Sequence, residues 1–301
     1  MVSLIEAVEF NDFSDLSVLA NEDVASEVVS PASSDSSAPL FDVERQQLTN
    51  SSLQAIAELE ELDDVDVSIF EFEGDPRIQK RSLWQKCKTY PGDLLYPSRT
   101  VWGLFDLLIG GKLIKTTPYA SVCYDDFGNK DSTACSEVSS TWINGSLRHT
   151  EHPTSVNAIF FGGNTCLPPS LALDSQEGCD QGAYPSYAVD ATKVAHIQLA
   201  VNLARNLNLR LVVKNTGHCF LGKSMGKDAL SIWTHNLKDI LFLKDHREGS
   251  YSGPAFKIGA GVQAFELYET VNRYNMTVVG GEGKVGLPAS ALLQSPLLTL
   301  Y

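Results

Sequence analysis

Two rhythms of apolar residues alternate along the second half of the chain. Over Thr192–Arg205, Val194, Ile197, Val201 and Ala204 recur with the spacing that predicts a helix with one buried stripe. Asn206–Asn208 interrupts it, and the β-branched run Leu209–Lys214 predicts a strand. A polar loop, Asn215–Lys227, leads to a second predicted strand at Ala229–Trp233, and a third falls at Ala255–Ile258. Gln263–Tyr274 reads as a helix presenting Leu267, Tyr268, Val271 and Tyr274 on one face, and Thr277–Val279 reads as a fourth strand running into Gly280-Gly281. Earlier in the chain the rhythm fades. Residues 77–185 are rich in Gly, Pro, Ser and Asp, with a predicted helix at Ser98–Leu108 and a short strand at Leu113–Lys115 in otherwise loop-rich sequence. Helices alternating with strands around glycine-rich connections describe an α/β or α+β ligand-binding domain.

Charge divides the chain differently. Residues 1–76 hold 19 Asp/Glu against one basic residue, Arg45, whereas residues 77–301 hold 18 acidic and 22 basic side chains. The overall net charge of −14 is therefore a property of the first quarter. Ser30–Ser37 is low-complexity and Glu58–Asp66 repels itself, so residues 1–76 read as an acidic, mostly disordered tail, with a turn or two of amphipathic helix at Gln54–Leu62. Phosphate binding is built on surplus Lys and Arg, so nucleic acid is not the expected partner. No apolar run approaches the ~18 residues of a membrane span, so no membrane association is expected. Three segments follow: 1–76, the tail; 77–185, the loop-rich region; and 186–301, the ligand-binding domain.

The six cysteines include two local pairs, Cys123/Cys135 and Cys166/Cys179. Each pair closes a loop of about a dozen residues, which a disulfide stabilises by about 3 kcal/mol. They are expected to be bridged, with Cys87 and Cys219 unpaired. These pairs and three N-x-S/T sequons, at Asn50, Asn144 and Asn275, point to an oxidising, secretory compartment. Met1–Leu19 carries no basic and apolar signal-peptide pattern. The spacings suggest no metal site.

The chemistry concentrates after Leu209–Lys214, in NTGHCFLGKS (Asn215–Ser224). Asn215, Thr216 and Gly217 form a small-residue corner where successive backbone N–H groups converge on an anion, and Lys223 and Ser224 add a charge and a hydroxyl. His218 follows Gly217 and is approachable; on position alone it also reads as a satisfied, half-buried histidine, and Cys219 as an ordinary buried thiol. Gly259-Ala260-Gly261-Val262-Gln263-Ala264 matches the G-x-G-x-x-A dinucleotide fingerprint, with Glu282 placed as the ribose acid. Only 40 residues follow Gly261, too few for the several strands that fold requires.

Residues 187–286 resemble the FAD-binding domain of the vanillyl-alcohol oxidase / p-cresol methylhydroxylase (PCMH-type) superfamily, fungal berberine-bridge-enzyme-like branch. The resemblance rests on LRLVVKNTGHCFLGKS (209–224), ALSIWTHNLKDI (229–240), IGAGVQAFELYE (258–269) and VVGGEGKVG (278–286), in the family's order and spacing. CKTYPGDLLYPS (87–98) and GGKLIKTTPYASVCY (110–124) are similar to that branch's N-terminal region. The resemblance implies an α+β fold whose FAD domain is incomplete at the C-terminus, and an FAD-dependent oxidoreductase. Hydride would pass from a small organic substrate to covalently bound flavin, and molecular oxygen would reoxidise it. It implies that His218 bears a single 8α-histidyl link, and that Asn215–Gly217 and Gly222, Lys223 and Ser224 wrap the pyrophosphate. Gly280, Gly281, Val285 and Gly286 would form the second flavin loop, where Glu282-Gly283-Lys284 leaves no cysteinyl link. Against the family pattern, His218 is followed by Cys219 rather than an acid, and the stretch after Leu287 departs from the expected glycine-rich turn. The chain reads as truncated, with the general base and substrate pocket beyond it. An inactive fragment and a non-enzymatic secreted binding module are the alternatives.

Overall fold

The computed structural model describes residues 27–28, 38–57, 66–72, 87–142, 151–156, 163–172 and 178–278. Its principal elements are α1 (Asn50–Ala57), α2 (Arg99–Leu108), β1 (Leu113–Lys115), α3 (Ser132–Thr141), β2 (Tyr187–Asp190) and α4 (Val194–Asn206). These are followed by β3 (Leu211–Lys214), β4 (Leu230–Trp233), β5 (Ile240–Glu248), β6 (Tyr251–Ile258) and α5 (Ala264–Arg273).

A mixed four-stranded sheet in the order β1-β2-β4-β3 organises the fold. β1 runs antiparallel to β2, while β2, β4 and β3 are parallel, with Asp190 opposite Trp233 and Trp233 opposite Lys214. The sheet thus joins a strand of the loop-rich region to three from beyond residue 186. Helix α2 starts where Ser98 accepts a hydrogen bond from the Val101 N–H at 3.3 Å. It buries Trp102, Leu104, Phe105 and Leu108 in a core shared with Leu199, Leu203, Leu230 and Ile232. Trp102 stacks on Tyr187 of β2 with ring centroids 4.3 Å apart.

The predicted stripe on α4 is rotated. Val201 is 38% exposed, and the helix instead buries Leu199, Ala200, Asn202, Leu203 and Asn206. Two asparagines face inward because they have acceptors there. Asn202 Nδ2 donates to the Phe70 carbonyl at 2.7 Å, and Asn206 Nδ2 donates to those of Ile69 and Glu71 at 2.8 and 2.9 Å. A buried amide is tolerated once its hydrogen bonds are made.

Those acceptors lie in the stretch read as a disordered acidic tail, and for residues 38–57 and 66–72 that reading gives way. Val67–Phe70 forms a 3-10 turn capped by Asp66, whose side chain accepts from Ser68 N at 3.1 Å. Phe70, Ile69 and Leu53 enter the main core, with Phe70 6.2 Å from Phe105. Further upstream, the Lys257 ammonium on β6 grips the Glu44 carboxylate, donates to the Pro39 carbonyl at 2.9 Å and lies 4.5 Å over the Phe41 ring. Local charge density is a poor guide where scattered apolar residues have a groove to fill.

The loop-rich region holds one helix its sequence did not announce, α3, started by Asp131 accepting from the N–H groups of Thr133 and Ala134 at 2.8 and 3.0 Å. Cys123–Cys135 and Cys166–Cys179 are disulfides, with Cα separations of 4.8 and 4.4 Å. Cys166, Cys179, Ala120 and Val138 make a small separate core. Cys87 and Cys219 carry free thiols. The third predicted strand begins earlier than expected, as β6, and pairs with an unforeseen partner, β5, in an antiparallel hairpin with an irregularity between Leu243 and His246. α5 packs Leu267 and Val271 with Val262, while Tyr268 and Tyr274 stay largely exposed. Thr277 and Val278 form no strand. Among the described residues, no helix is long and apolar enough to cross a membrane.

Candidate functional site

Three parallel strands end together, at Asp190, Lys214 and Trp233. Ligands of open α/β sheets bind beyond such carboxyl ends, because the connecting loops diverge there and leave a crevice. The Asn215–Ser224 loop leaves from this edge, and so does the Thr234–Asp239 turn.

The loop is held from below. Gly217 adopts φ +86°, and a Cβ on it would overlap the Ser155 carbonyl oxygen and sit 3.0 Å from Val156 Cα. Only glycine admits that approach without strain. Ser155 and Val156 are buried, and Val156 packs with Tyr184 and Met225, which anchors the far end of the loop. Asn215 Nδ2 donates to the Ala260 carbonyl, fastening the loop's first residue to the turn before α5. Gly222, at φ +68°, turns the chain back, its N–H donating to the Cys219 carbonyl at 3.3 Å. Lys223 is exposed and Ser224 half-buried at the rim, while Phe220 and Leu221 project into solvent.

Polar atoms collect here without protein partners. The Asn215 Oδ1, Thr216 Oγ1 and His218 Nε2 atoms are buried and meet no hydrogen-bonding group among the described residues, and the same is true of Thr234 Oγ1 and His235 Nδ1 across the crevice. Unmade hydrogen bonds of buried groups cost about 1–3 kcal/mol each, and these five sit on the two loops that leave one sheet edge, where a bound molecule would complete them. His218 is half-buried, as its position alone suggested, and burial together with the Lys214 charge holds its pKa below the ordinary histidine value. The imidazole is thereby kept neutral, the nucleophilic form. Cys219 is likewise half-buried.

Lys214, Trp233 and His235 adjoin the loop, and the sequence reading passed over them. Lys214 ends an apolar strand, yet its side-chain nitrogen is buried and donates to the carbonyls of His152 and Asn215 at 2.9 and 3.1 Å. Trp233 Nε1 donates to that same Asn215 carbonyl at 3.2 Å. Burial pushes the Lys214 pKa down to about 7. His235, in the turn after β4, is buried and stacks on Trp233 with centroids 5.7 Å apart; burial, then Lys238 and Lys214, push its pKa down to about 3.

The G-x-G-x-x-A match has a packing explanation. A Cβ on Gly261 would lie within 2.7 Å of the Thr234 carbonyl oxygen, and one on Gly259 within 2.9 Å of the Leu237 carbonyl carbon. Their N–H groups are occupied, Gly259 donating to Asp239 at 2.7 Å and Gly261 to Leu237 at 2.8 Å. These glycines let two turns touch and have no donor left for a phosphate. Gly280, Gly281, Val285 and Gly286 lie outside the described residues.

No protein-family model matches the chain. Curated relatives do. A VAO-type flavoprotein oxidase of Thermothelomyces thermophilus is 42% identical over 196 residues, covering 65% of this chain and 34% of the relative. An FAD-linked oxidoreductase of Gibberella zeae is 39% identical over the same length and shares. The crystal structure of a VAO-type flavoprotein from Myceliophthora thermophila superposes with a TM-score of 0.61 at 42% identity, covering 65% of this chain and 35% of that one. A second flavoprotein structure from that fungus gives 0.56 at 32% identity. The chain spans about a third of the length of these relatives. Across that span it is similar, in sequence and in fold, to the VAO-type FAD-linked flavoproteins.

Proposed function

We propose that this chain carries part of the FAD-binding apparatus of an FAD-dependent oxidoreductase acting on a small organic substrate. The observation that carries the reading is the set of orphaned buried atoms on Asn215, Thr216 and His218, held at the shared end of three parallel strands by a glycine that no other residue replaces without strain. The donor set suits a dinucleotide: backbone N–H groups of a small-residue corner for a pyrophosphate, and a neutral imidazole for an electrophilic methyl. When bound, FAD would supply the hydride acceptor, with molecular oxygen taking the electrons afterwards.

The chain's own residues then have distinct tasks. Asn215–Gly217 and Gly222, Lys223 and Ser224 hold the pyrophosphate. His218 provides the nitrogen for a single histidyl attachment. Gly280, Gly281, Val285 and Gly286 complete the flavin side on the strength of the resemblance. The two disulfides and three sequons favour passage through the secretory pathway.

The purified chain is expected to carry a yellow chromophore that stays with the protein after acid precipitation. His218→Ala should release it, leaving weak reversible FAD binding. Unchanged acid-stable flavin in His218→Ala would overturn the assignment of the link. A native chain that binds no FAD would overturn the cofactor reading itself, in favour of a fragment or binding module without flavin chemistry.

A further inference from the structure

We propose that Lys214 is the buried counter-charge of the anion this loop binds, and that it takes up a proton from solvent when the anion arrives. The inference rests on the cofactor reading above and specifies the anion as the dinucleotide pyrophosphate.

The geometry around the amine is complete for a neutral group and incomplete for a charged one. A neutral lysine amine has two N–H donors, and two acceptors meet Lys214 Nζ: the carbonyls of His152 and Asn215, at 2.9 and 3.1 Å. An ammonium has a third donor and a full charge. No carboxylate meets it among the described residues. Asp190, in register two strands away, is engaged by Lys112 at 3.9 Å and by Asn236 at 2.6 Å; Glu266 is engaged by Lys238 at 2.8 Å. Among the described residues, the ionisable groups shown beside Lys214 are basic: His152, whose carbonyl it meets, and His218 and His235, whose proton affinities its charge lowers. The Trp233 ring, 5.5 Å from Nζ, is its other neighbour. Burial lowers this lysine's affinity for its proton, and added negative charge beside it restores it.

The same hydrogen bond explains how a group with no exposed surface communicates with a ligand. Lys214 and Trp233 both draw the Asn215 carbonyl inward. A trans peptide is planar, with C=O and N–H opposed, so the Thr216 N–H points outward to the crevice. Among the described residues, the N–H groups of Thr216, Gly217 and His218 donate to no carbonyl. Protonation strengthens the pull on that peptide and the positive potential behind it. Lys214 is thus a positioning residue that acts through the 215–216 peptide.

The proton balance is simple: one proton leaves the buffer and the neutral amine becomes an ammonium as the anion binds. Calorimetric titration of the full His218→Ala chain, freed of reversibly bound flavin so that the site is vacant, at pH 8, in Tris and in HEPES, reads it from the dependence of the observed heat on buffer ionisation. FAD is the first probe and ADP, which has the pyrophosphate without the flavin, the second. Uptake approaching one proton is expected with both. The histidines, with pKa values below their ordinary range, cannot supply that at pH 8. Lys214→Met should abolish the uptake and weaken FAD binding at least about tenfold, since a buried charge partner is lost. Uptake in the His218→Ala chain stands as a test even where the added Lys214→Met fails to fold. FAD bound without proton uptake, uptake that persists in a folded Lys214→Met, or uptake with FAD but none with bound ADP each overturns the inference and leaves the cofactor reading intact. Binding of neither probe overturns both.

Discussion

The positive φ of Gly217 and the Ser155 carbonyl pressed against it make this position intolerant of any side chain. Gly217→Ala should lose about 2 kcal/mol or more, from the left-handed backbone and the overlap together, and should also lower anion affinity because the corner must move. Urea denaturation and FAD titration check the two effects separately. The corner itself could be read from NTGH, since small residues after a strand have few other uses. Lys214 and His235 could not, because nothing in a single sequence says that a strand-ending lysine turns inward, or that a histidine after a tryptophan stacks on it. Replacing His235 is accordingly expected to disturb the surroundings of His218 as well. Loss of its ring from beside Trp233 should perturb the same crevice.

Among the elements, α4 shows where pattern reading fails and why. Its existence and approximate bounds follow from periodicity, but its face does not. Asn202 and Asn206 count as polar in any apolar-stripe reading, while in the fold they serve carbonyls of the 66–72 segment. That segment is correspondingly important. Phe70→Ala should cost about 3–5 kcal/mol, as for a large aromatic removed from a closed core, and Asn206→Ala should be destabilising through its orphaned acceptors. A denaturation midpoint unchanged by Phe70→Ala would return these residues to a dispensable tail. The disulfides were legible from spacing because short loops bridge readily. Replacing Cys166 and Cys179 together by serine should lower stability by about 3 kcal/mol, seen as a reduced thermal midpoint.

For the molecule as a whole, pH dependence gathers the buried bases into one profile. Burial is the main cause that brings the His196 pKa down to about 4 and the His235 pKa down to about 3, so both are neutral in the fold where the unfolded chain already titrates near 6.5. The unfolded state binds more protons between those values, so stability is lost as pH falls from about 6.5 toward 4, on the order of 3 kcal/mol for His196 alone. Lys214 acts with the same sign at higher pH. Its folded value of about 7 lies below the ordinary lysine value of 10.5, so flavin-free stability should rise between them. Denaturation across pH 4–10 checks both limbs, and Lys214→Met should flatten the upper one. The sheet's parallel core was anticipated by the alternation of helix and strand; the β5–β6 hairpin was not, because Ile240–Glu248 mixes four charged residues and a histidine with its apolar ones.

The strand order also sets a timetable for synthesis. β4 lies between β2 and β3, and β1 closes against β2 across some seventy intervening residues, so the ribosome must release Trp233 before any parallel pair in the sheet can form. By then Cys123, Cys135, Cys166 and Cys179 have all emerged, and their short loops can be oxidised while the sheet is still open. Bridging them shortens the β1–β2 connection by about a third, and loop-closure entropy grows so slowly with length that the gain is only about 0.4 kcal/mol. Early oxidation thus does little to hasten strand pairing. Its effect is on the nascent region between β1 and β2, which acquires a covalently bounded small core before the central sheet exists to support it.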